Sequence, residues 1–580
     1  MNIPFASAFH ILIVATAALV GEDSQTFAKS PKSSAADRPN IILFITDDQS
    51  PFADRSRGKY DSARAFGFNG EHRVHTPEID RLAREGMIFS RAYVTSSVCS
   101  PSRYTALTGR LAGRCTGQVF TRLHPPGAMT RVENNTELEA NRLNVAKVLQ
   151  ANGYRTGFVG KCHIVDHPAL NQTQKWESEH RLKYYSQEDD PQDAEVSARM
   201  KHNHVAWCKR VAQHGFDFVD GLYAANLREL HNKKANVHNV EWTTHAALEF
   251  IKTSEQPFFL YYATTTPHGP APWIKTDGRY VHGLDADPRM TGEGWKESDY
   301  SFMPTREAIK QQAVANGSSL EDAWLHWIDS SIGAIRKELE KQGKLDNTLL
   351  IITSDHGAWR HGKTTLYEGG LRVPLAMHWP KQIAAGSVYD ELVQNTDFTP
   401  TILDVAGIEP PEELPLDGVS LQPVLEGLQQ PVHDHLFAEL GYSRGVLTKD
   451  WKYIAVRYDK EKTKRIANGR PFTAFDGKEM KRPYLTRNGH LGFHASRFNP
   501  HYFEADQLYH MSEDPEETRN LANNNPTKLE EMQRLLRADL ATFPGRPFGE
   551  LTEPIPNDAG KLRVGRAQTP KKTVLELEQF

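Results

Sequence analysis

The chain has 580 residues, with 69 Lys+Arg against 73 Asp+Glu (net charge -4), 39 % hydrophobic and 24 % charged. This composition excludes a disordered chain, a collagen and a polytopic membrane protein. The near-neutral balance speaks against a dedicated nucleic-acid binder, which needs a basic excess. Four cysteines in this length exclude a disulfide scaffold.

The apolar run from Pro4 to Val20 is too short to span a bilayer, and polar sequence follows from Glu22. It reads as a signal peptide over about residues 1–28, cleaved between Ala18 and Ala28, which implies a secreted or periplasmic protein. A single membrane anchor or a disordered extension is the alternative. No later stretch is long and apolar enough to span a membrane.

The mature chain opens with Asn40-Ile-Ile-Leu-Phe-Ile-Thr46, a buried-strand pattern. A helix follows, with Thr76 as cap, Pro77 at its first position, and Ile79, Leu82 and Ala83 on one face. Met87 to Val94 reads as a strand, Arg142 to Gln150 as a helix, and Tyr154 to Gly160 as a strand. Ile164 to Gln213 is charged and without a clean period, which predicts a surface excursion with His202 and His204 on the surface. Trp242 to Lys252 then reads as a helix and Phe258 to Ala263 as a strand. An amphipathic helix carries Leu325, Ile328, Ile332, Ile335 and Leu339, ahead of the strand Thr348 to Thr353. This alternation predicts an α/β domain over 38–431, built on a large, mostly parallel sheet flanked by helices. From 432 to 543 the strands shorten and lose their helices, which predicts a smaller α+β subdomain with an antiparallel sheet and a final helix from Thr527 to Ala541. The tail, 544–580, is polar and reads as a loose wrap.

In open α/β sheets, ligands bind at the carboxyl ends of strands. Here those ends read Asp47-Asp48, Lys161-Cys162-His163, Pro267-His268 and Asp355-His356-Gly357, with Lys363 shortly after. Any one of these is most simply a solvated loop charge. Four gathered on one strand edge point to a site. The carboxylates suit a hard divalent cation, and the lysines and histidines suit an anionic substrate and proton transfer. Together they point to hydrolysis of a phosphate or sulfate ester.

Cys99-Ser-Pro-Ser-Arg103, continuing to Leu-Thr-Gly-Arg110, follows a strand and opens a helix, with Pro101 near the first helical position. Here the chain resembles the type I sulfatases of the alkaline phosphatase superfamily, whose maturation motif has this form. The resemblance runs from Asn40 to about Leu521. It takes in Asp47-Asp48, Gly160-Lys161-Cys162-His163, Pro267-His268, Asp355-His356-Gly357, Lys363 to Gly370, Arg372-Val-Pro374, and Leu508-Tyr509 with Asp514-Pro515-Glu516 and Asn520-Leu521. It implies an alkaline phosphatase-like fold and Cys99 oxidised to Cα-formylglycine by a maturation enzyme. It also implies one Ca²⁺, with Mg²⁺ as the alternative, on Asp47, Asp48, Asp355, His356 and residue 99. His356 stands where many members carry Asn, which leaves the metal's identity open.

The same resemblance implies that a hydroxyl of hydrated residue 99 attacks sulfur with Asp355 as base, that His268 protonates the leaving alcohol, and that His163 then promotes sulfate release. Arg103 would hold residue 99, while Lys161 and Lys363 neutralise the sulfate. Glu368, Gly369, Gly370 and His361 read as turn-shaping. Competing functions are a phosphonate or phosphodiester hydrolase of the same superfamily, and an inactive binding protein on the same fold. Trp176, His180, Arg181, Lys183, Tyr184, Trp273, Lys275, Arg279 and Trp295, on two long loops, suit a sulfated sugar as well as they suit ordinary surface loops. Among Cys115, Cys162 and Cys208 at most one disulfide is expected.

Overall fold

The first strand, β1 (Asn40–Thr46), sorts its apolar run between two cores. Ile41, Leu43 and Ile45 face one, and Ile42 and Phe44 the other, as strand alternation requires. The remaining strands of its sheet are β2 (Met87–Tyr93), β3 (Arg155–Lys161), β4 (Phe218–Tyr223), β5 (Phe258–Ala263), β6 (Thr348–Ser354), β7 (Leu375–His378) and β8 (Ser387–Gln394). The eight strands run β8-β2-β7-β6-β1-β5-β3-β4. Every neighbouring pair is parallel except the two that β7 makes with β6 and β2. The computed structural model describes residues 38–51, 65–69, 74–270, 273–276, 279–318, 320–358, 362–458, 464, 472–473, 479–480 and 499–552. The signal-peptide expectation and His361 lie outside the described residues.

Helices α1 (Pro77–Arg84), α5 (Val240–Lys252) and α6 (Ala323–Lys341) bury Ile79, Leu82, Leu248, Ile251, Leu325, Ile328, Ile332 and Ile335 with Ile42 and Phe44. On the other face lie α2 (Cys99–Thr108), α3 (Val145–Ala151) and α7 (Phe398–Val405). A 19-residue helix, α4 (Ala194–Ala212), packs there too, inside the stretch expected to be a surface excursion. It buries Met200, Asn203, His204, Trp207 and Val211, which recur at helical spacing. Two of the five are polar, which hides the stripe from a hydrophobicity reading. Asn203 bonds both the N–H and the C=O of Lys183, and His204 Nε2 accepts from Leu222 N–H at 3.2 Å. His204 is therefore a core residue, while His202 is exposed as expected.

Thr76 was expected to cap α1, and it does not. Its hydroxyl donates to Asp80 at 2.9 Å and accepts from Gly67 N–H. The free N–H groups of Glu78 and Ile79 are taken by Asp329, on α6, at 3.3 and 2.8 Å. A cap supplied by another helix leaves no local sequence signal. Burial lifts the Asp329 carboxyl to about 8 against the pull of these two bonds. A carboxyl raised this way binds its proton more tightly folded than unfolded, so stability falls as pH rises between about 4 and that value. Asp329→Asn cannot ionise. Its loss of melting temperature between pH 5 and pH 8 should be smaller than the parent's, by the equivalent of at least about 1 kcal/mol. Equal slopes would show that Asp329 does not titrate in this range.

A second sheet joins β9 (Leu436–Leu440), β10 (Ser443–Leu447), β11 (Trp451–Val456) and β12 (Asp506–His510), all antiparallel. Its helix α8 (Pro526–Ala541) buries Met532, Leu536 and Leu540 against Val446, Tyr453 and Leu508. The tail begins more firmly than its composition suggests. Phe548 and Leu551 are buried in this core, and the residues after 552 lie outside the described ones. None of the four cysteines is disulfide-bonded. Among the described residues no helix is long and apolar enough to cross a membrane.

Candidate active site

Along β1 and β6 Asn40 pairs with Thr348 and Thr46 with Ser354, so the two strands end level. The residues that follow, Asp47-Asp48 and Asp355-His356, are delivered side by side. Asp355 N–H donates to Thr46 O at 3.0 Å and Asp48 N–H to Asp355 Oδ1 at 3.1 Å. Ile45 pairs with Ala263 of β5, and Ala263 with Gly160 of β3, which brings Lys161 to the same edge. Only glycine fits at 160. Its φ is +87°, and a β carbon would lie 1.9 Å from Ala263 O.

Cys99 is the first residue of α2, preceded by extended Val98. Pro101 is the third residue of this helix, in the first turn near its start as expected, where no intrahelical N–H bond is lost. The helix stops at Gly109, left-handed at φ 64°. Arg110 then reaches Glu139 Oε2 at 3.3 Å and the Tyr104 hydroxyl at 3.2 Å. The Leu-Thr-Gly-Arg stretch thus stops and anchors the helix that carries residue 99.

Four groups surround the buried Cys99 sulfur: His356 Nε2 and Lys161 Nζ at 3.5 Å, Asp47 Oδ1 at 3.8 Å and Lys363 Nζ at 3.9 Å. Lys161 bonds Asp47 Oδ2 at 2.5 Å, and Lys363 bonds Asp48 Oδ1 at 2.7 Å. Arg103 holds Asp355 Oδ2 through Nε and Nη2 at 3.1 and 2.9 Å, and lies 3.5 Å from Asp47. Burial alone would raise Asp47 and Asp48, but Lys161 and Lys363 outweigh it and hold both below the usual carboxylate range. Burial raises Asp355 in spite of His356 and Arg103.

Ligand atoms of Asp47, Asp48, Cys99 and His356 all lie within 4.8 Å of one another. His356 Nδ1 is 2.8 Å from Gly357 O, so Nδ1–H donates there, and Nε2 faces Asp48 Oδ1 at 3.3 Å and Asp355 Oδ1 at 3.6 Å. Burial opposes charge on this ring, yet Asp355 and Asp48 hold it up to about 9. Asp47, Asp48, Cys99 and His356 could together hold a metal ion. Asp355 stands at the rim of the cluster, its oxygens engaged by Arg103 and by Asp48 N–H.

The two remaining histidines differ in setting. His163, left-handed at φ 59°, is buried with no hydrogen-bond partner on Nδ1 among the described residues. Burial, then Lys161, holds it well below the usual imidazole range. His268 is 22 % exposed, with Nε2 4.0 Å from Asp48 Oδ2. It is the more open of the two histidines.

Asn226 was missed. Its Oδ1 accepts from Lys161 Nζ at 2.8 Å. It lies just past the end of β4, an edge strand the sequence reading did not separate from its surroundings. Of the residues named for sugar contact, Trp176 is core, donating to Ala169 O at 2.8 Å. Trp295 stacks under Arg289 at 4.4 Å, and Tyr184 is exposed. The side chains of Trp273, Lys275 and Arg279 lie outside the described residues.

Comparisons agree with this geometry. The Sulfatase family model matches residues 39–408, and the N-sulphoglucosamine sulphohydrolase C-terminal model matches 355–467. An ulvan-active sulfatase of Formosa agariphila is 24 % identical over 515 residues, covering 87 % of this chain and 80 % of the relative. An N-acetylglucosamine-6-O-sulfatase of Bacteroides thetaiotaomicron is 25 % identical over 507 residues, covering 73 % and 80 %. The solved PsFucS1 sulfatase of a Pseudoalteromonas species shares the fold, with a TM-score of 0.52 at 19 % identity, covering 88 % of this chain and 92 % of its own. The family match begins at the first strand and passes beyond the last strand of the large sheet, so the chain belongs to the sulfatase family and is a sulfatase.

Proposed function

We propose that this sulfatase cleaves a sulfate ester of a sulfated carbohydrate, with residue 99 as formylglycine and a divalent cation held by Asp47, Asp48, Asp355, His356 and residue 99. Ca²⁺ is the first choice and Mg²⁺ the alternative. The carrying observation is the donor set within 4.8 Å around Cys99, flanked by two buried lysines. Carboxylate oxygens suit such an ion, and an oxygen at residue 99 suits it better than sulfur. The carbohydrate reading leans on the ulvan-active and N-acetylglucosamine-6-O-sulfatase relatives. Maturation of Cys99 requires a formylglycine-generating enzyme as partner, and the N-terminal run supports a secreted or periplasmic location.

Three cations, Lys161, Lys363 and Arg103, already pair with Asp47, Asp48 and Asp355. The carboxylates therefore need no metal merely to relieve their repulsion. A bound divalent ion gives the site a positive surplus, which a sulfate monoester anion partly neutralises. When present, the formylglycine supplies an oxygen nucleophile and the cation withdraws charge from the sulfate. Lys161 and Lys363 donate to sulfate oxygens, and each such donor lowers the barrier by about 2–4 kcal/mol. Arg103 orients Asp355, which takes the nucleophile's proton. Burial, with Lys363 and Lys161, holds His268 down to about 3 in the free site. The arriving anion raises the proton affinity of its Nε2, which takes a proton from solvent and delivers it to the leaving oxygen. His163, kept neutral by burial, accepts a proton when sulfate is released.

The test is turnover of an aryl sulfate, an aryl phosphate diester and a panel of sulfated glycans, before and after exhaustive chelation. Sulfate ester cleavage is expected to exceed diester cleavage, with at least one glycan as substrate. Chelation should lower activity on the order of 100-fold with only a small drop in melting temperature. Preference for the diester would favour the phosphodiesterase reading. Full activity after verified metal loss would remove the cation from the proposal.

A further inference from the structure

The segment that carries Lys363 is pinned at both ends, and the far pin belongs to the second sheet. On the near side Thr364 N–H donates to Ser97 O at 3.1 Å, and Ser97 Oγ donates to Thr365 O at 2.5 Å. On the far side Tyr367 hydroxyl donates to Gln507 Oε1, on β12, at 2.7 Å. Glu368 N–H donates to Glu517 Oε2 at 2.7 Å. Lys452, on β11, donates to Glu368 Oε1 at 2.6 Å and Glu517 Oε1 at 2.8 Å. Tyr93 hydroxyl donates to the other Glu368 oxygen at 3.1 Å. Lys452, Glu368 and Glu517 are all buried.

Two features mark this junction as more than packing. Thr364, next to Lys363, is left-handed at φ 71°, and Glu517 is left-handed at φ 55°. A non-glycine residue there costs on the order of 1–3 kcal/mol and persists only where its surroundings over-determine it. The bonds to Ser97 on one side and to the second sheet on the other are those surroundings. Asp514-Pro515-Glu516, which the active site leaves unused, presents Glu517. Asp514 accepts from Thr518 and Arg519 N–H at 3.1 and 2.8 Å, closing the turn that aims it.

We propose that Lys452 and Glu517 are positioning residues for Lys363: the second sheet fixes the far end of the lysine segment and so holds the Lys363 ammonium against Asp48 and residue 99. The proposal rests on Lys363 being a sulfate-binding lysine. With the Glu368–Lys452–Glu517 contact broken, the segment can relax its left-handed turn at Thr364. Lys363 then moves off its position against Asp48 and residue 99, and loss of such preorganisation lowers kcat more than it raises KM.

The experiment is a double-mutant cycle on the full-length mature enzyme with an aryl sulfate. Lys452→Met should lower kcat about tenfold. Lys363→Ala should lower it on the order of 100-fold. In the Lys363→Ala background, Lys452→Met should cost less than about twofold, because the lysine it positions is gone. A full tenfold loss in that background, or no loss in the parent, overturns the proposal. Lys363→Ala without loss of kcat would instead overturn the role of Lys363 and leave the sulfatase assignment standing. Lys452→Met strands two buried carboxylates, so its melting curve is recorded alongside. If it fails to fold, Glu517→Gln repeats the cycle. That variant keeps the side chain's shape but places an amide NH₂ against either Lys452 or the Glu368 N–H. The same fold-changes are expected and the same outcomes overturn.

Discussion

Replacing Cys99 by Ala should lower turnover on the order of 10⁴-fold or more while the chain still folds. The side chain is 1 % exposed and its sulfur has Asp47, Lys161, His356 and Lys363 as polar neighbours, so the change removes one small group from a polar setting. Its thermodynamic cost is about 1–2 kcal/mol, far less than the stability of a domain of this size. Its kinetic cost is the nucleophile itself. A thiolate attacking sulfate would end in a sulfur–sulfur bond with no easy release, whereas a hydrated aldehyde has a second hydroxyl to expel the product. Peptide mass analysis of active enzyme should therefore show that the thiol sulfur of residue 99 is gone. An unmodified Cys99 in a fully active sample would sink the mechanism. A residual Cys99→Ala rate within tenfold of the parent would do the same.

What the sequence made legible follows one rule. Buried parallel strands are continuous apolar runs, and the level pairing of β1 with β6 turns the residues just past each run into neighbours. Asp47, Asp48, Lys161, Asp355 and Cys99 could all be named because each stands at such an end or opens the helix beside it. What stayed hidden lacked that signature. β4 and β8 are edge strands with partly exposed patterns, and β7 has only four residues. Asn226, which bonds Lys161, lay past the unseen end of β4. α4 disguises its buried stripe with Asn203 and His204, whose polar atoms find partners only in the folded chain. The Asp329 cap on α1 and the Lys452 contact with Glu368 join residues 250 and 84 positions apart. No local pattern announces such pairs.

The exposure of the two histidines separates their roles in a way that rates can read. His268 is partly exposed and His163 is buried. If His268 protonates the leaving alcohol, His268→Ala should slow a sugar sulfate on the order of 10²- to 10⁴-fold. An activated aryl sulfate should suffer far less, because a stable phenolate departs without a proton. His163 acts after the alcohol has gone, so leaving-group quality should not matter to its loss. His163→Ala should release one equivalent of alcohol per enzyme in a fast burst and then stall on both substrates. Each variant is measured on both, with the first turnover resolved by rapid mixing. Equal losses for His268→Ala on the two substrates, together with no burst for His163→Ala, would show that the roles are assigned wrongly within an otherwise intact site. A burst from His268→Ala and a leaving-group dependence for His163→Ala would show that they are exchanged. That result would run against the exposure of the two side chains, of which His268 is the more open.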